Sequence, residues 1–175
     1  VLFRSAYTLW HFSKSLENSE GDIFDIGCMK GGAGILMASA NKNIKSNTFF
    51  IDTFEGFAET SGSHKKNETF VYKATDELKK NITKYKIKKF KIIKTRFPNN
   101  FKFRGKIKFC HLDINVYKDT VKSFLAVDKF LVKNGIIVFD DFGIHKVEGI
   151  IKAIEEILRK KYHKKYHIIY NYLGQ

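Results

Sequence analysis

The feature that most constrains the fold is a repeated pairing of a short apolar run with a helical stretch. Five such runs, each four to six residues long, lie at residues 22–26, 48–51, 90–93, 107–112 and 136–139. The last of them is apolar throughout, as a strand covered on both faces should be. Strands that alternate with helices predict an α/β domain with a mostly parallel sheet.

The segments between these runs show helical periodicity. We predict helices over residues 4–19, through Ile35, Leu36 and Met37, and over residues 76–85. A further helix carries Val121, Phe124, Leu125, Leu131 and Val132 on one face, and Gly135 is a suitable end for it. The clearest helix has apolar residues from Val147 to Leu158 at i, i+3, i+4, i+7, i+10 and i+11.

These elements predict a single Rossmann-like, doubly wound sheet, with a sixth strand at 167–172. In such a sheet, ligands bind outside the carboxyl ends of the strands. We expect one domain over residues 1–175, with an N-terminal helix within 1–20 and a polar lid loop at 53–68. The chain starts with Val and stops after a strand-like run, so we expect it to be nearly complete but clipped at the C-terminal strand.

The formal charge of +14 raises the question of a nucleic-acid partner. Only four of the 32 basic residues are arginine, whereas base and phosphate recognition relies on the bidentate arginine fork. The lysines are spread along the chain, and we interpret them mainly as a compositional bias that coats solvated faces. A basic surface for an anionic substrate or a nucleic acid is the less favoured alternative.

The cysteine content and the hydropathy pattern indicate the compartment. Two cysteines 82 positions apart, Cys28 and Cys110, do not form a disulfide framework. No apolar run approaches the roughly 20 residues of a membrane span, and the N-terminus lacks the pattern of a signal peptide. We therefore expect a cytoplasmic protein.

A glycine-rich turn follows the first predicted strand. Asp25 stands two residues before Gly27, and Gly31 follows four residues later. The dinucleotide fingerprint G-x-G-x-x-G, counted from Gly27, requires a glycine at position 29. This chain has Met29 there, which disfavours an NAD-dependent oxidoreductase. The spacing is that of the S-adenosylmethionine loop in class I methyltransferases. An ordinary strand-to-helix turn is the alternative.

Acidic residues follow three of the other strands. Asp52 ends the second strand, about 25 residues beyond the glycine turn, where a carboxylate can accept hydrogen bonds from ribose hydroxyls. Asp113 follows the fourth strand, and Asp140 and Asp141 follow the fifth. These three carboxylates would repel one another unless a cation neutralised them, and Mg²⁺ has the matching preference for oxygen ligands. The alternative is that strand ends are simply polar.

Several segments together resemble the macrocin O-methyltransferase family. They are GDIFDIGCMKGGAGILMA, IDTFEGF, IKFCHLDINVYKDT, GIIVFDDFG and EGIIKAIEEI, which run from about residue 21 to 157. Members of this family methylate sugar hydroxyls on antibiotics and other glycosides. The resemblance implies a class I methyltransferase fold, S-adenosylmethionine as the cofactor and a small sugar or glycoside as the acceptor. Relatives of this kind commonly self-associate, so the resemblance is compatible with a homo-oligomer.

The resemblance also implies roles for individual residues. Asp25, Gly27 and Gly31 would shape the cofactor loop, and Asp52 would hold the ribose. We add the neighbouring Cys28 and Thr53 to the predicted cofactor-binding residues, and we interpret Cys28 as a residue that fills space. The metal ligands would be Asp113, Asp140 and Asp141. The metal would chelate two neighbouring sugar oxygens and lower the pKa of the one that is methylated.

The sequence departs from the family at two positions. The family usually has an aspartate, a candidate general base, where this chain has Asn115, and an arginine where it has His111. An amide cannot accept the proton, so we name His64 and His145 beside Asp113 as candidate catalytic residues, with Lys118 as a further substitute. Each substitute could equally be a plain surface residue, or the metal alone could acidify the hydroxyl.

Two alternative functions stay open. The first keeps the cofactor but changes the acceptor to a catechol-like diol or a nucleic acid, and the basic charge favours the nucleic acid. The absence of any segment that resembles an RNA-binding module argues against it. The second is a binding domain that has lost catalysis, which Asn115 supports and the retained acids at 113, 140 and 141 oppose.

Overall fold

The described part of the chain folds into one five-stranded sheet with helices on both faces. The computed structural model describes residues 3–43, 45–55, 74–114, 116–140, 148–159, 162 and 164–169. The strands are β1 Asp22–Ile26, β2 Thr48–Asp52, β3 Phe90–Lys94, β4 Ile107–Leu112 and β5 Leu131–Phe139. They lie in the order β3-β2-β1-β4-β5, and every neighbouring pair is parallel. The predicted doubly wound α/β fold is confirmed.

The helices cover the two faces of this sheet. They are α1 Phe3–Ser15, α2 Gly32–Ala40, α3 Ala74–Lys84, α4 Tyr117–Asp128 and α5 Glu148–Ile154, and a π-helical turn, Glu155–Arg159, continues α5. On one face, Leu9 and Met37 from α1 and α2 pack with Phe109 of β4. On the other face, Phe124 of α4 and Ile150 of α5 pack against the sheet. Among the described residues, no helix is long and apolar enough to span a membrane.

Burial decreases from the centre of the sheet to its edge. Every residue of β4 is buried, and so are four of the five in β1, because both strands have a neighbour on each side and helices on each face. The edge strand β3 has no buried residue and carries Lys91 and Lys94, which suits an edge that must not pair with another chain. The functional groups of the central strands are therefore the ones held most firmly.

The prediction was wrong where α4 meets β5. We expected Leu131 and Val132 on the helix and Gly135 at its end, but α4 ends at Asp128 and β5 begins at Leu131. Ile107 pairs with Leu131, whereas Phe109 pairs with Ile136, so the intervening residues of β5 form an irregular bulge. Leu131 and Val132 happen to continue the helical period of α4, and periodicity alone could not distinguish the two structures.

The predicted sixth strand is wrong for its described part. Residues 167–169 form no strand, and residues 170–172 lie outside the described part of the chain. The residues just before this segment make aromatic contacts with α4, because the rings of Tyr162 and Tyr166 both pack against Phe124. Helix α1 is also shorter than predicted and ends at Ser15. Of the predicted lid loop at 53–68, residues 53–55 are described and the rest lie outside the described residues.

Candidate cofactor and acceptor site

The glycine turn joins the ends of three strands. The Gly27 amide donates to the Ile51 carbonyl oxygen of β2 at 2.8 Å, and the Asp113 amide after β4 donates to the Ile26 oxygen of β1 at 2.9 Å. Gly27 has a φ of 85°, and a Cβ atom there would lie 2.0 Å from the Asp113 carbonyl oxygen. Only glycine fits this position, for conformational and steric reasons alike. The turn is therefore required by the packing of the strand ends, besides any approach of a cofactor.

Asp25 supports the helix that follows this turn. Its side chain is fully buried in β1, and its Oδ2 accepts a hydrogen bond from the Gly34 amide in the first turn of α2 at 2.7 Å. A carboxylate at this place satisfies an amide that the helix itself leaves unpaired, and it complements the positive end of the helix dipole. Asp25 thus fixes the first turn of α2, and with it the end of the glycine turn, through a hydrogen bond from the interior of the sheet.

Asp52 connects the glycine turn with the loop after β2. Its Oδ2 accepts a hydrogen bond from the Met29 amide at 2.8 Å, and its Oδ1 accepts one from the Phe54 amide at 2.8 Å. Thr53 lies beside it, with its hydroxyl 3.4 Å from Asp52 Oδ1. Oδ2 has a second lone pair besides the one that the Met29 amide uses, so Asp52 can also accept a bond from a ribose hydroxyl. The geometry is compatible with the predicted ribose contact.

Cys28 lies in the turn with its side chain buried. Burial, together with the negative charges of Asp25 and Asp52, raises the pKa of its thiol far above the ordinary value. A thiol that stays protonated is a poor nucleophile. This agrees with our interpretation of Cys28 as a space-filling residue.

His111 connects Asp25 with the other side of the site. It is almost completely buried in β4 and pairs in register with Asp25 of β1. Its Nδ1 lies 2.9 Å from Asp25 Oδ1, and its Nε2 lies 3.7 Å from Asp140 Oδ2. The second separation is an ion-pair distance and is too long for a hydrogen bond. Among the described residues, His111 Nε2 has no hydrogen-bond partner.

The surrounding carboxylates decide the charge of His111. Burial by itself lowers the pKa of an imidazole, but the neighbouring carboxylates of Asp140, Asp25 and Asp113 raise the pKa of His111 to about 10. A pKa of about 10 favours the protonated form of the ring at neutral pH. From the sequence we noted His111 only as a departure from the family. A histidine in an apolar strand next to a strand that contains aspartate was the signal that could have revealed the pair.

Asp113 and Asp140 lie at the tips of adjacent strands. The Asp140 amide donates to the Leu112 carbonyl oxygen at 2.9 Å and so extends the pairing of β4 with β5. Both carboxylates are partly exposed, and one or two carboxylates are what Mg²⁺ usually takes from a protein. Carboxylate oxygens are the type of ligand that such an ion prefers. Within the described residues, however, no three acidic, histidine or cysteine side chains group as a metal site.

The structure brings together the predicted residues that it describes. Asp25, Gly27, Cys28, Gly31, Asp52, Thr53, Asp113 and Asp140 all lie at the carboxyl ends of β1, β2, β4 and β5 or in the turn that follows β1. The predicted metal ligand Asp141, the candidate bases His64 and His145, and Asn115 lie outside the described residues. Lys118 is exposed in the first turn of α4.

Comparison with known proteins decides the family. The family profile of the macrocin O-methyltransferases (TylF) matches residues 13–166. The chain belongs to this family. It is therefore an S-adenosylmethionine-dependent O-methyltransferase of the macrocin type. No curated protein matches the sequence closely.

Solved structures show the same fold. The O-methyltransferase NovP superposes with a TM-score of 0.81 at 15% identity, over 95% of this chain and 75% of NovP. The calicheamicin methyltransferase CalS11 superposes with a TM-score of 0.73 at 16% identity, over 90% of this chain and 72% of CalS11. An O-methyltransferase from Bacillus cereus in complex with SAH gives a TM-score of 0.64 at 14% identity, over 92% of this chain and 71% of the other. At these identities the likeness establishes the fold.

Proposed function

We propose that this macrocin-type O-methyltransferase transfers a methyl group to one of two neighbouring hydroxyls of a sugar, with the help of Mg²⁺. The observation that carries the proposal is the placement of Asp113 and Asp140 at adjacent strand tips, beside the glycine turn. One of the structural neighbours, CalS11, is described as a TDP-rhamnose 3'-O-methyltransferase. A sugar attached to a nucleotide is accordingly the first acceptor class to test.

The cofactor would lie over the glycine turn. Asp52 would accept hydrogen bonds from the ribose, and Thr53 would lie beside it. Gly27 and Gly31 would give the turn a backbone conformation that lets the cofactor approach it closely. Cys28 would form part of the floor beneath it. The buried Asp25 would support the cofactor site without contacting the cofactor, because it fixes the first turn of α2.

The acceptor would lie over the tips of β4 and β5. Asp113, Asp140 and Asp141 would hold Mg²⁺, which supplies a positive charge that lowers the pKa of a sugar hydroxyl and orients it. Asn115 cannot take up the proton that leaves this hydroxyl. We retain His64, His145 and Lys118 as the candidate acceptors of this proton, and Asp113 as a catalytic residue that acts through the metal.

Cofactor and metal binding can be tested together by thermal unfolding with S-adenosylhomocysteine, with and without Mg²⁺. A ligand at 100 times its Kd adds about 2.7 kcal/mol of stability, which corresponds to a rise in Tm of roughly 5 to 10 °C for a domain of this size. We expect this shift with S-adenosylhomocysteine and none with NAD. The absence of a shift from a folded sample would contradict cofactor binding and favour a domain that has lost catalysis.

The metal assignment requires matched variants. Asp113→Asn and Asp140→Asn should retain the shift with S-adenosylhomocysteine but lose the part that depends on Mg²⁺, because an amide is a much weaker ligand for a hard cation. Glu20→Gln, an exposed acid far from the strand tips, is the control. A Mg²⁺ effect that both site variants retain would contradict the assignment.

The acceptor class can be separated by a methyl-transfer assay on three panels. These are nucleotide-linked deoxysugars, simple catechols and structured RNA, each monitored by the release of S-adenosylhomocysteine. We expect turnover with the sugars. Turnover with RNA alone would make the basic surface the acceptor-binding element and overturn the sugar assignment.

A further inference from the structure

His111 is a buried polar side chain to which the proposed function gives no role. It lies between Asp25, which supports the glycine turn, and Asp140, which we assign to the acceptor side. Its Nδ1 contact at 2.9 Å is a full hydrogen bond, whereas its Nε2 remains 3.7 Å from the nearest Asp140 oxygen. The ring therefore spans the two halves of the site and is tightly fixed at one end only.

We propose that His111 is a positioning residue that sets the orientation of the Asp140 carboxylate from the fixed frame of β1. This inference rests on the proposed function, because it gives Asp140 a ligand to hold. Partners behind a metal ligand commonly fix the direction in which its lone pairs point, and their loss weakens metal affinity. Here the partner is a ring whose own position is set by a fully buried carboxylate.

The direction of support follows from burial. Asp25 is completely buried and also accepts a bond from Gly34, so it cannot move without disturbing α2. The Asp140 side chain is 25% exposed and lies at the end of β5. Asp25 therefore holds the His111 ring in place, and the ring in turn restricts the orientation of the Asp140 carboxylate. Asp140 Oδ2 lies 3.7 Å from the ring nitrogen, so the other carboxylate oxygen would be the one that faces a cation.

Two isosteric substitutions separate the ends of the ring. In His111→Asn the amide nitrogen takes the place of Nδ1, so the bond to Asp25 is kept and the reach to Asp140 is lost. In His111→Gln the amide nitrogen takes the place of Nε2, so the reach to Asp140 is kept and the bond to Asp25 is lost. His11→Asn, on the exposed surface of α1, is the matched control.

The experiment measures Kd for S-adenosylhomocysteine by calorimetry and Kd for Mn²⁺, a paramagnetic substitute for Mg²⁺, by electron paramagnetic resonance. We expect His111→Asn to bind S-adenosylhomocysteine within about threefold of the unaltered chain but Mn²⁺ about tenfold more weakly. We expect His111→Gln to retain Mn²⁺ affinity more nearly and to lose affinity for S-adenosylhomocysteine. The control should change neither constant.

A purely structural role would give a different result. If His111→Asn weakened both ligands together with the Tm, or if neither variant folded, the positioning role would be overturned. It would also be overturned if His111→Asn left the Mn²⁺ affinity within about twofold of the unaltered chain, and the proposed function would then stand. If the unaltered chain bound S-adenosylhomocysteine but no Mn²⁺, the metal assignment would fail and this inference with it.

Discussion

Two basic side chains on β4 are almost equally buried but lie in opposite electrostatic environments. Lys108, near the amino end of the strand, is 0% exposed, and His111, near the carboxyl end, is 3% exposed. Lys108 Nζ donates to the Ser19 carbonyl oxygen and to Asn41 Oδ1, each at 3.2 Å. His111 faces carboxylates instead.

The pKa values of the two groups move in opposite directions as a result. Burial lowers the pKa of Lys108 to about 8, although Asp22 and Glu17 partly oppose the change. Burial acts in the same direction on His111, but the surrounding carboxylates outweigh it and raise the pKa to about 10. The comparison shows that burial alone does not decide the charge of a group. The surroundings at the carboxyl end of β4 stabilise the protonated form of His111, whereas those at the amino end destabilise the protonated form of Lys108.

The largest effect should come from removing the carboxylate that holds His111. Asp25→Asn keeps the shape of the side chain but leaves a buried imidazolium without its closest counter-charge. We expect a loss of about 3–5 kcal/mol in the free energy of unfolding, measured by urea denaturation. Asp22→Asn, at the other end of β1, should cost about 1 kcal/mol or less. Equal losses for the two variants would contradict the contrast between the ends.

A slightly smaller effect should come from the glycine that packs against the tip of β4. In Gly27→Ala the new methyl group would meet the Asp113 carbonyl oxygen at 2.0 Å, so β1 and β4 would have to separate. We expect a loss of about 2–4 kcal/mol, together with weaker binding of S-adenosylhomocysteine. Gly21→Ala, at the Lys108 end, meets its nearest atom at 2.9 Å and should cost less. A larger cost for Gly21→Ala in urea denaturation would reverse the comparison.

Lys108→Met should stabilise the fold at neutral pH by about 1–2 kcal/mol, because it removes a charge that burial disfavours. The pKa of this lysine falls from its ordinary value of 10.5 to about 8 in the folded chain. Between these two values the unfolded chain binds more protons, so this residue makes the stability of the unaltered chain rise with pH. The advantage of the variant should therefore shrink from about pH 7 to about pH 10.

The control for this pH dependence is Lys106→Met, since Lys106 is exposed and lies two residues before Lys108. Its difference from the unaltered chain should not change over the same pH range. Urea denaturation at each pH measures both differences. An advantage of Lys108→Met that is constant with pH would show that Lys108 is not the group that titrates.

The smallest effect should come from the exposed ion pair next to Lys108. Glu20→Gln removes the partner of Lys106, and these side chains are 76% and 56% exposed. Such pairs contribute little because water screens them, so we expect a change within about 0.5 kcal/mol. A loss as large as that of Asp25→Asn would mean that the charges at the amino end matter as much as those at the carboxyl end.

The sequence predicted the sheet well because its strands are short apolar runs. The bounds of β1 and β4 match the prediction, and β2 and β3 each extend one residue further. Failures occurred where apolar patterns are ambiguous, as at Leu131 and Val132. The irregularity in β5 depends on its pairing with β4. The spacing of apolar residues within one segment carries no information on that pairing.

The candidate site was predicted in position but not in its connections. Asp25, Gly27 and Asp52 could be named because their spacing along the chain places them at strand ends. The bond from the Met29 amide to Asp52 and the contact of His111 with Asp25 join residues 23 and 86 positions apart. Spacing along one segment carries no information on such contacts, since they depend on the order and register of the strands.

The sequence by itself determined the alternation of strands and helices, the glycine turn and the acids at the strand ends, because each is a local pattern of residue types. The tertiary structure alone decided in which direction the pKa of each buried basic group moves. Lys108 and His111 lie in one apolar run, IKFCHL, and nothing within that run distinguishes their surroundings. The parallel register places Asp25 beside His111, while Lys108 meets neutral oxygens from Ser19 and Asn41. The charge of a buried group depends on these neighbours, because the interior screens their fields far less than water does.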